Sequence, residues 1–150
     1  MRTVNVQRDI EAPADSVWAI LADFPNIYTW NSGVKHSEAT SDATGGLGAS
    51  RHCDLAPMGA LEETNTGWQP GEKMDVRIDS AAKLPLESAL VTFELDDQGG
   101  TTPTSLRYVN QTKFGPQGAL LGPMLDRQFS QGFVGFLADL EAAARERANS

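Results

Sequence analysis

The sequence predicts an α+β fold in which seven strands form an antiparallel sheet and a long helix ends the chain. Two observations carry this prediction. Between residues 34 and 113, short runs alternate apolar and polar side chains and are separated by turn residues, which is typical of hairpin strands. Before and after that region, apolar residues recur at helical spacing. The chain shows no linker and no internal repeat, so we expect one domain over residues 1–150.

The first 30 residues predict a strand and two short helices. Residues 3–11 alternate in the manner of a strand with one buried face. Pro13 favours a helix start there, because the N–H that proline lacks has no partner in the first turn of a helix. We expect this helix to end near Asp23. A second short helix is expected over residues 24–30, with Pro25 in its opening position.

Six further strands are expected after the helices, separated by turns rich in glycine and proline. Their predicted ranges are 34–41, 48–55, 60–68, 73–81, 88–95 and 104–113. Alternation is clearest in the fourth and fifth of these, which indicates strands with one solvated face. Consecutive hairpins of this kind predict an antiparallel meander.

A long C-terminal helix is expected after Gly115-Pro116, where apolar residues again recur every three or four positions. Its apolar side carries Leu121, Met124, Leu125, Gln128, Phe129, Gly132, Phe133, Phe136, Leu137 and Leu140. The pair Gly122-Pro123 indicates either a kink or the start of the regular part, because an interior proline removes one helical hydrogen bond.

Composition excludes several classes of protein. The chain has 20 Asp and Glu against 12 Lys and Arg, a formal net charge of −8, and no basic cluster, which argues against nucleic-acid or anionic-membrane binding. Cys53 is the only cysteine, so we expect no internal disulfide and no thiolate zinc site. No apolar leader and no run of about 18 apolar residues is present, so we expect a cytoplasmic protein without stable membrane insertion.

Sequence motifs for common catalytic and cofactor sites are missing. His52 and Asp54 alternate with Cys53, so a strand would leave at most two possible metal ligands on one face, and we expect no metal. Gly46-x-Gly48 leads into a predicted strand, not a helix, which does not fit a dinucleotide fingerprint. There is no nucleophile elbow and no phosphate-loop lysine. We therefore expect no cofactor.

A family resemblance runs along essentially the whole chain. Residues 10–18 read I-x-A-P-x-x-x-V-W, residues 21–24 read L-x-D-F, and Trp30 closes the second short helix. Further matching segments are 46–51, 61–63 and 68–74. The chain resembles the START-like, or SRPBCC, superfamily, the polyketide cyclase/dehydrase and lipid-transport group with the helix-grip fold of the birch-pollen allergen. The resemblance is specific for fold and only weakly so for activity, because this superfamily shares a pocket and not one chemistry.

The resemblance implies a sheet curved around the long helix, with an apolar cavity between them where a ligand binds. The side chains expected at this cavity are Trp30, Leu55, Pro57, Met58, Val76, Ile78, Leu84, Pro85, Val91, Phe93, Tyr108, Met124, Gln128, Phe129, Gly132 and Phe133. The alternative is that they fill a dry core. Loops 55–59 and 82–86 occupy, by resemblance, the gate and latch positions of the abscisic acid receptors. The receptors' motifs are not reproduced, so hormone sensing is not implied.

Two glycines interrupt the expected C-terminal helix. Gly132 and Gly135 lie in its interior, where glycine costs about 1 kcal/mol relative to alanine. Two explanations remain open. A missing side chain leaves room for a neighbour or a ligand, or it permits close packing against a strand.

Polar candidates lie on the third, fourth and seventh strands. If residues 57–59 form a hairpin turn, Arg51 lies opposite Glu62 and Glu63 across the ladder. An inward-facing arginine and glutamate, with Tyr108, could orient a carbonyl group or act as general acid and base in an aldol cyclisation or dehydration. A surface salt bridge is the alternative. The sequence leaves open which glutamate faces inward, because a slip of one residue exchanges the two faces of a strand.

Two functions are therefore compatible with the sequence. One is a binding module for a small hydrophobic or amphipathic molecule such as a lipid, a polyketide or an aromatic metabolite. The other is a cyclase/dehydrase-type enzyme that uses Arg51, Glu62, Glu63 and Tyr108 as catalytic groups. The expected partner is a small hydrophobic molecule, and the chain is expected to be a monomer or a weak homodimer.

Overall fold

The computed structural model describes residues 1–83, 86–112 and 115–150, without the side chains of residues 112 and 115–122. Its elements follow the expected order. They are β1 (Arg2–Ile10), α1 (Ala14–Ala22), a 3₁₀ helix (Phe24–Thr29), β2 (Val34–Ala39), β3 (Ser50–Leu55), β4 (Ala60–Gln69), β5 (Lys73–Ala82), β6 (Leu86–Leu95), β7 (Thr102–Thr112) and α2 (Gly115–Ala148). The predicted α+β fold, with two short helices between the first two strands, is confirmed.

All seven strands form one antiparallel sheet in the order β1-β7-β6-β5-β4-β3-β2. Strands β2 to β7 are the expected meander, and β1 joins it by pairing with β7. Strands β1 and β2 are therefore the edges of the sheet. Helix α2 packs along β1 and the 3₁₀ helix packs on β2, so both edges are partly covered.

Four strand boundaries differ from the prediction by two residues. Strand β2 ends at Ala39 and not at residue 41, and β7 begins at Thr102 and not at residue 104. Strand β3 begins at Ser50 and not at residue 48, because Gly46 and Gly48 both have φ of 86°, a left-handed conformation that a strand does not accommodate. Strand β6 begins at Leu86 and not at residue 88. The predicted end of the seventh strand at residue 113 lies outside the described residues.

Helix α2 already runs from Gly115, so the alternative that its regular part starts at Pro123 is wrong. Pro123 lies in the interior of the helix, where its missing N–H removes one helical hydrogen bond. None of the described helices has the length and the apolar content needed to cross a membrane.

The core is dense towards the C-terminal end of α2 and looser towards its middle. Leu137 and Leu140 are fully buried and belong to the same cluster as Val17 and Phe24. Phe129, by contrast, is only half-buried. The sheet and α2 therefore enclose a packed region at one end and a less filled region at the other.

Polar contacts fix α2 against β1. The Arg8 guanidinium binds Glu141 at 2.8 Å, and the second oxygen of Glu141 accepts from the backbone N–H of Glu11 at 2.8 Å. Nearer the start of the helix, Arg2 binds Asp126 at 2.6 Å. The position of α2 over the sheet is thus set at two separate points.

Candidate ligand-binding cavity

A cavity of about 270 Å³ lies between the sheet and α2. Its floor is formed by strands β5 and β6, because every second side chain of a strand points to the same face of the sheet. On the face towards α2 these side chains are Val76 and Ile78 of β5 and Val91 and Phe93 of β6. Tyr108 on β7 extends this floor. This volume is close to the lower end of the range of volumes of small-molecule binding sites.

Aromatic rings of α2 form the opposite wall. The Tyr108 ring lies 5.1 Å from that of Phe129 and 4.8 Å from that of Phe133, measured between centroids. Phe136 stacks on Phe93 at 5.4 Å. These contacts join the helix to the sheet around the cavity, and the wall presents ring faces and edges to its interior.

Most of the residues expected at the cavity from sequence line it. Those are Leu55, Val76, Ile78, Val91, Phe93, Tyr108, Phe129, Gly132 and Phe133, together with Arg51 and Glu63. Leu84 and Pro85 lie outside the described residues. The lining residues that sequence reasoning missed are Ile27, Asn31, Gly33, Val34, Cys53, Leu61, Leu86 and Phe136. Phe136 was detectable, because it lies seven residues after Phe129 on the same helical stripe.

Five of the expected residues lie elsewhere. Met124 is 55% exposed and Gln128 is also exposed. Successive residues of a helix are rotated by about 100° around its axis, so both side chains point away from the face that carries Phe129. Pro57 and Met58 line a separate outer groove beside the β3–β4 turn. Trp30 packs edge-on against Phe136 at 5.1 Å and lines a second, much smaller void. These positions do not bring the five side chains to the main cavity.

A buried ion pair lies at the cavity wall. Arg51 and Glu63 are direct partners across the β3–β4 ladder, and the Nε of Arg51 donates to Oε1 of Glu63 at 2.9 Å. The two residues are only 6% and 7% exposed. The pair is therefore not the surface salt bridge that the sequence left as an alternative.

The helical layer holds Arg51 in place. Its Nη1 donates to the carbonyl oxygen of Phe24 at 2.9 Å, and its guanidinium carbon lies 3.8 Å from the centre of the Phe24 ring. The thiol of Cys53 donates to Oε1 of Glu63 at 3.4 Å. The charged groups are thus oriented before any ligand is present.

The register also decides which glutamate faces the cavity. Glu63 lines it, whereas Glu62 lies on the opposite face of β4 as the partner of His52. The placement does not support a catalytic role for Glu62 in the cavity. Arg51, Glu63 and Tyr108 remain as the polar candidates that the structure brings together there.

Two neutral donors accompany the ion pair. Burial raises the pKa of the Cys53 thiol to about 12, with a further contribution from the charge of Glu63. Burial also raises the pKa of Tyr108, and Glu63 adds to the effect. Both groups therefore carry their protons near neutral pH. The Tyr108 hydroxyl has no hydrogen-bond partner among the described residues, and within them no cluster of His, Cys, Asp and Glu could hold a metal ion.

On the outer face of the sheet, His52 lies between two carboxylates. Its Nδ1 contacts Glu62, and its Nε2 is 2.9 Å from Oδ1 of Asp54. Glu38 lies opposite His52 on β2. Hydrogen bonds, first to Glu62 and then to Asp54, raise the pKa of His52 above its usual value despite partial burial.

This cluster predicts a pH-dependent contribution to stability. A raised folded-state pKa stabilises the fold fully below the unfolded pKa of about 6.5, and the contribution is lost as pH rises through the folded pKa. We expect His52→Gln to lower the free energy of unfolding by up to about 1 kcal/mol near pH 6 and by less near pH 9. Urea denaturation across this range measures the difference.

The matched control is His36→Gln. His36 lies beside the Tyr28 ring at 5.8 Å and forms no ion pair within the described part of the chain. A loss for His52→Gln that stays constant with pH would contradict the predicted role of the charged imidazole.

Comparisons with known proteins agree with this architecture. The sequence profile of the family described as "Polyketide cyclase / dehydrase and lipid transport" matches residues 1–145. No curated protein matches the chain in sequence. The Zhui aromatase/cyclase from Streptomyces sp. R1128 has a similar structure, with a TM-score of 0.84 and 15% identity over 97% of this chain and 94% of that one.

Two further solved structures are similar. A START superfamily protein from Mycobacterium smegmatis has a TM-score of 0.80 at 14% identity, over 96% of this chain and 97% of that one. Ara h 8.0201 has a TM-score of 0.78 at 12% identity, over 97% of this chain and 98% of that one. At such low identities these likenesses concern the fold alone.

Proposed function

This chain belongs to the polyketide cyclase/dehydrase and lipid transport family, and on that premise we propose that it binds a small hydrophobic or amphipathic molecule between the sheet and α2. The observation that carries the proposal is the cavity itself. It measures about 270 Å³, and aliphatic and aromatic side chains make up most of its described lining. An apolar pocket with a few convergent polar groups is the usual form of a small-molecule site.

The lining also suggests the kind of ligand. Rings of Phe93, Phe129 and Phe133 favour a flat or unbranched apolar body, because ring faces and edges pack well against such shapes. Tyr108 supplies a hydroxyl without a described partner, which favours one acceptor on the ligand. A lipid, a polyketide or an aromatic metabolite with a carbonyl or hydroxyl group has these properties.

An enzyme of the cyclase/dehydrase type is the second candidate, and the buried Arg51–Glu63 pair at the cavity wall favours it. In an aldol cyclisation, Arg51 would polarise the carbonyl oxygen under attack, and Glu63 would accept a proton from the carbon that attacks. Tyr108 would protonate the new alkoxide. Loss of that hydroxyl together with a hydrogen from the adjacent carbon, as water, would form the double bond and complete the dehydration. The Zhui aromatase/cyclase shares the fold at 15% identity, which supports the scaffold and not the chemistry.

Native mass spectrometry of the freshly purified protein, compared with its denatured mass, tests the proposal. We expect an adduct that is lost on denaturation, because a carrier with an apolar cavity retains its cargo during purification. Titration with the uncharged fluorophore 1-aminoanthracene is expected to give saturable binding with a fluorescence increase, since the probe leaves water for an apolar site. A clean mass together with no binding of the probe would contradict the binding function. A clean mass with probe binding would favour the enzyme, whose substrate is transient.

A further inference from the structure

Two glycines that line the cavity are exposed to solvent. Gly33 follows the 3₁₀ helix, and Gly132 lies within α2. Among the described lining residues these two alone are exposed, whereas the others are buried or half-buried. A residue that both lines a cavity and is exposed lies between its interior and the solvent. Gly33 and Gly132 therefore mark the part of the described wall where an opening between the cavity and solvent is expected.

Gly132 interrupts the aromatic stripe of α2. Phe129 lies three residues before it and Phe136 four residues after it, so all three share one face of the helix. Phe129, Phe133 and Phe136 all line the cavity. A larger side chain at position 132 would complete the stripe and narrow the opening.

Close packing does not require a glycine at this position. A Cβ placed on Gly132 would meet no described atom within 4 Å. The sequence left open whether this glycine permits close contact with a strand or leaves space, and the open surroundings favour space. Glycine also destabilises the interior of a helix relative to alanine, so the stability of α2 gives no reason for it.

The segment that carries Gly33 is held in place by hydrogen bonds. The N–H of Gly33 donates to Oδ1 of Asn31 at 2.9 Å, and its carbonyl accepts from the N–H of Ala56 at 3.0 Å. Ser32 donates to Asp139 of α2 through both its N–H, at 2.9 Å, and its hydroxyl, at 2.8 Å. This side of the opening is therefore tied both to the β3–β4 turn and to α2.

We propose that the opening beside Gly33 and Gly132 is the entrance for the ligand, and that the missing side chain at Gly132 determines what can pass. The inference rests on the proposed binding function. A flat, uncharged ring or an unbranched chain is the class that passes a narrow opening flanked by phenylalanine rings.

The test measures the association and dissociation rates of 1-aminoanthracene by stopped-flow fluorescence. Wild type, Gly132→Leu and the matched control Gly135→Leu are compared. Gly135 is also an exposed interior glycine of α2, and a Cβ there also meets no described atom within 4 Å. Gly132→Leu and Gly135→Leu therefore increase the helix propensity of α2 by the same amount. Only Gly132 lines the cavity, whereas Gly135 does not.

For Gly132→Leu we expect both rates to fall by about tenfold or more, while Kd stays within about threefold, because a narrowed entrance slows passage in both directions. Gly135→Leu should keep the wild-type rates. Gly132→Ala, a smaller change, should slow both rates less and in the same direction, and it serves if the leucine variant does not fold.

Three results would overturn the inference. One is an unchanged association rate in a folded Gly132→Leu. Another is a loss of affinity that comes from faster dissociation alone, because the leucine would then occupy the binding space and not the entrance. The third is a wild type that shows a clean native mass and binds no probe, which overturns the proposed function and this inference together. The first two leave the binding function standing.

Discussion

Arg51→Met is expected to lower the free energy of unfolding by about 3–5 kcal/mol, because it leaves the buried Glu63 carboxylate without its cation. Methionine keeps an apolar stem of similar length, so packing against Phe24 is largely retained. The expected loss therefore reports on the charge. It is a large part of the roughly 5–15 kcal/mol that stabilises a typical domain.

The double variant Arg51→Met/Glu63→Leu is the decisive comparison. When both charges are removed, neither is left buried alone, and we expect most of the stability lost in each single variant to return. Urea denaturation of wild type, both single variants and the double variant gives the coupling free energy of the pair. A loss below about 1 kcal/mol in the Arg51 variant would contradict the burial of the pair, since that is the range of solvated surface pairs.

The stability of the double variant also indicates whether the Arg51–Glu63 pair serves the fold or the cavity. If the double variant is about as stable as wild type, the two charges do not serve the fold, and their position at the cavity wall favours a role towards a ligand. Weaker binding of 1-aminoanthracene is not expected in this variant, because its cavity is more apolar. Binding of a ligand with a carbonyl group is the interaction that the charges would affect.

The family resemblance supplied the expectation of a cavity, and alternation along the strands predicted much of its lining. On β5, β6 and β7 every second residue faces α2, and residues such as Val76, Val91 and Tyr108 were placed at the cavity from that pattern. The main source of error in such a pattern is register. The structure pairs Arg51 with Glu63, one of the two glutamates between which the sequence left the choice open. Which face of β4 points to the cavity depends on the register of the whole sheet, so the sequence could not show whether Glu62 or Glu63 faces inward.

Helix rotation and loop position were harder to infer. Met124 and Gln128 share the broad apolar side of α2, but the helix is turned so that Phe129 faces the sheet and those two face solvent. Gly33 could not be found by periodicity, because it lies in a loop. Its position depends on contacts such as that between Ser32 and Asp139, which are 107 residues apart in the chain.

Val91→Phe is expected to cost less than about 1 kcal/mol of unfolding free energy and to weaken 1-aminoanthracene binding by at least about tenfold. Val91 lines the cavity, so a phenyl ring at that position extends into space that is not filled by protein atoms. The same ring occupies the volume that the probe needs. Equilibrium denaturation and fluorescence titration measure the two effects on one protein.

The matched control is Val17→Phe, the same substitution in the packed region. Val17 is 0% exposed and does not line the cavity, so the added atoms must displace neighbours, at a cost of about 1–3 kcal/mol. The probe should bind this variant as it binds wild type, provided that it folds. Equal destabilisation by the two substitutions would contradict an unfilled cavity beside Val91.

The contrast between the two valines separates a binding site from an imperfect core. Empty apolar volume destabilises a protein by about 24 cal/mol per Å³, so a cavity of about 270 Å³ is a considerable loss of stability. A substitution that fills it recovers part of that loss, which is why Val91→Phe should be tolerated. If filling the cavity costs little stability and abolishes binding, the space between the sheet and α2 is not needed by the fold, as expected for a site that leaves room for a ligand.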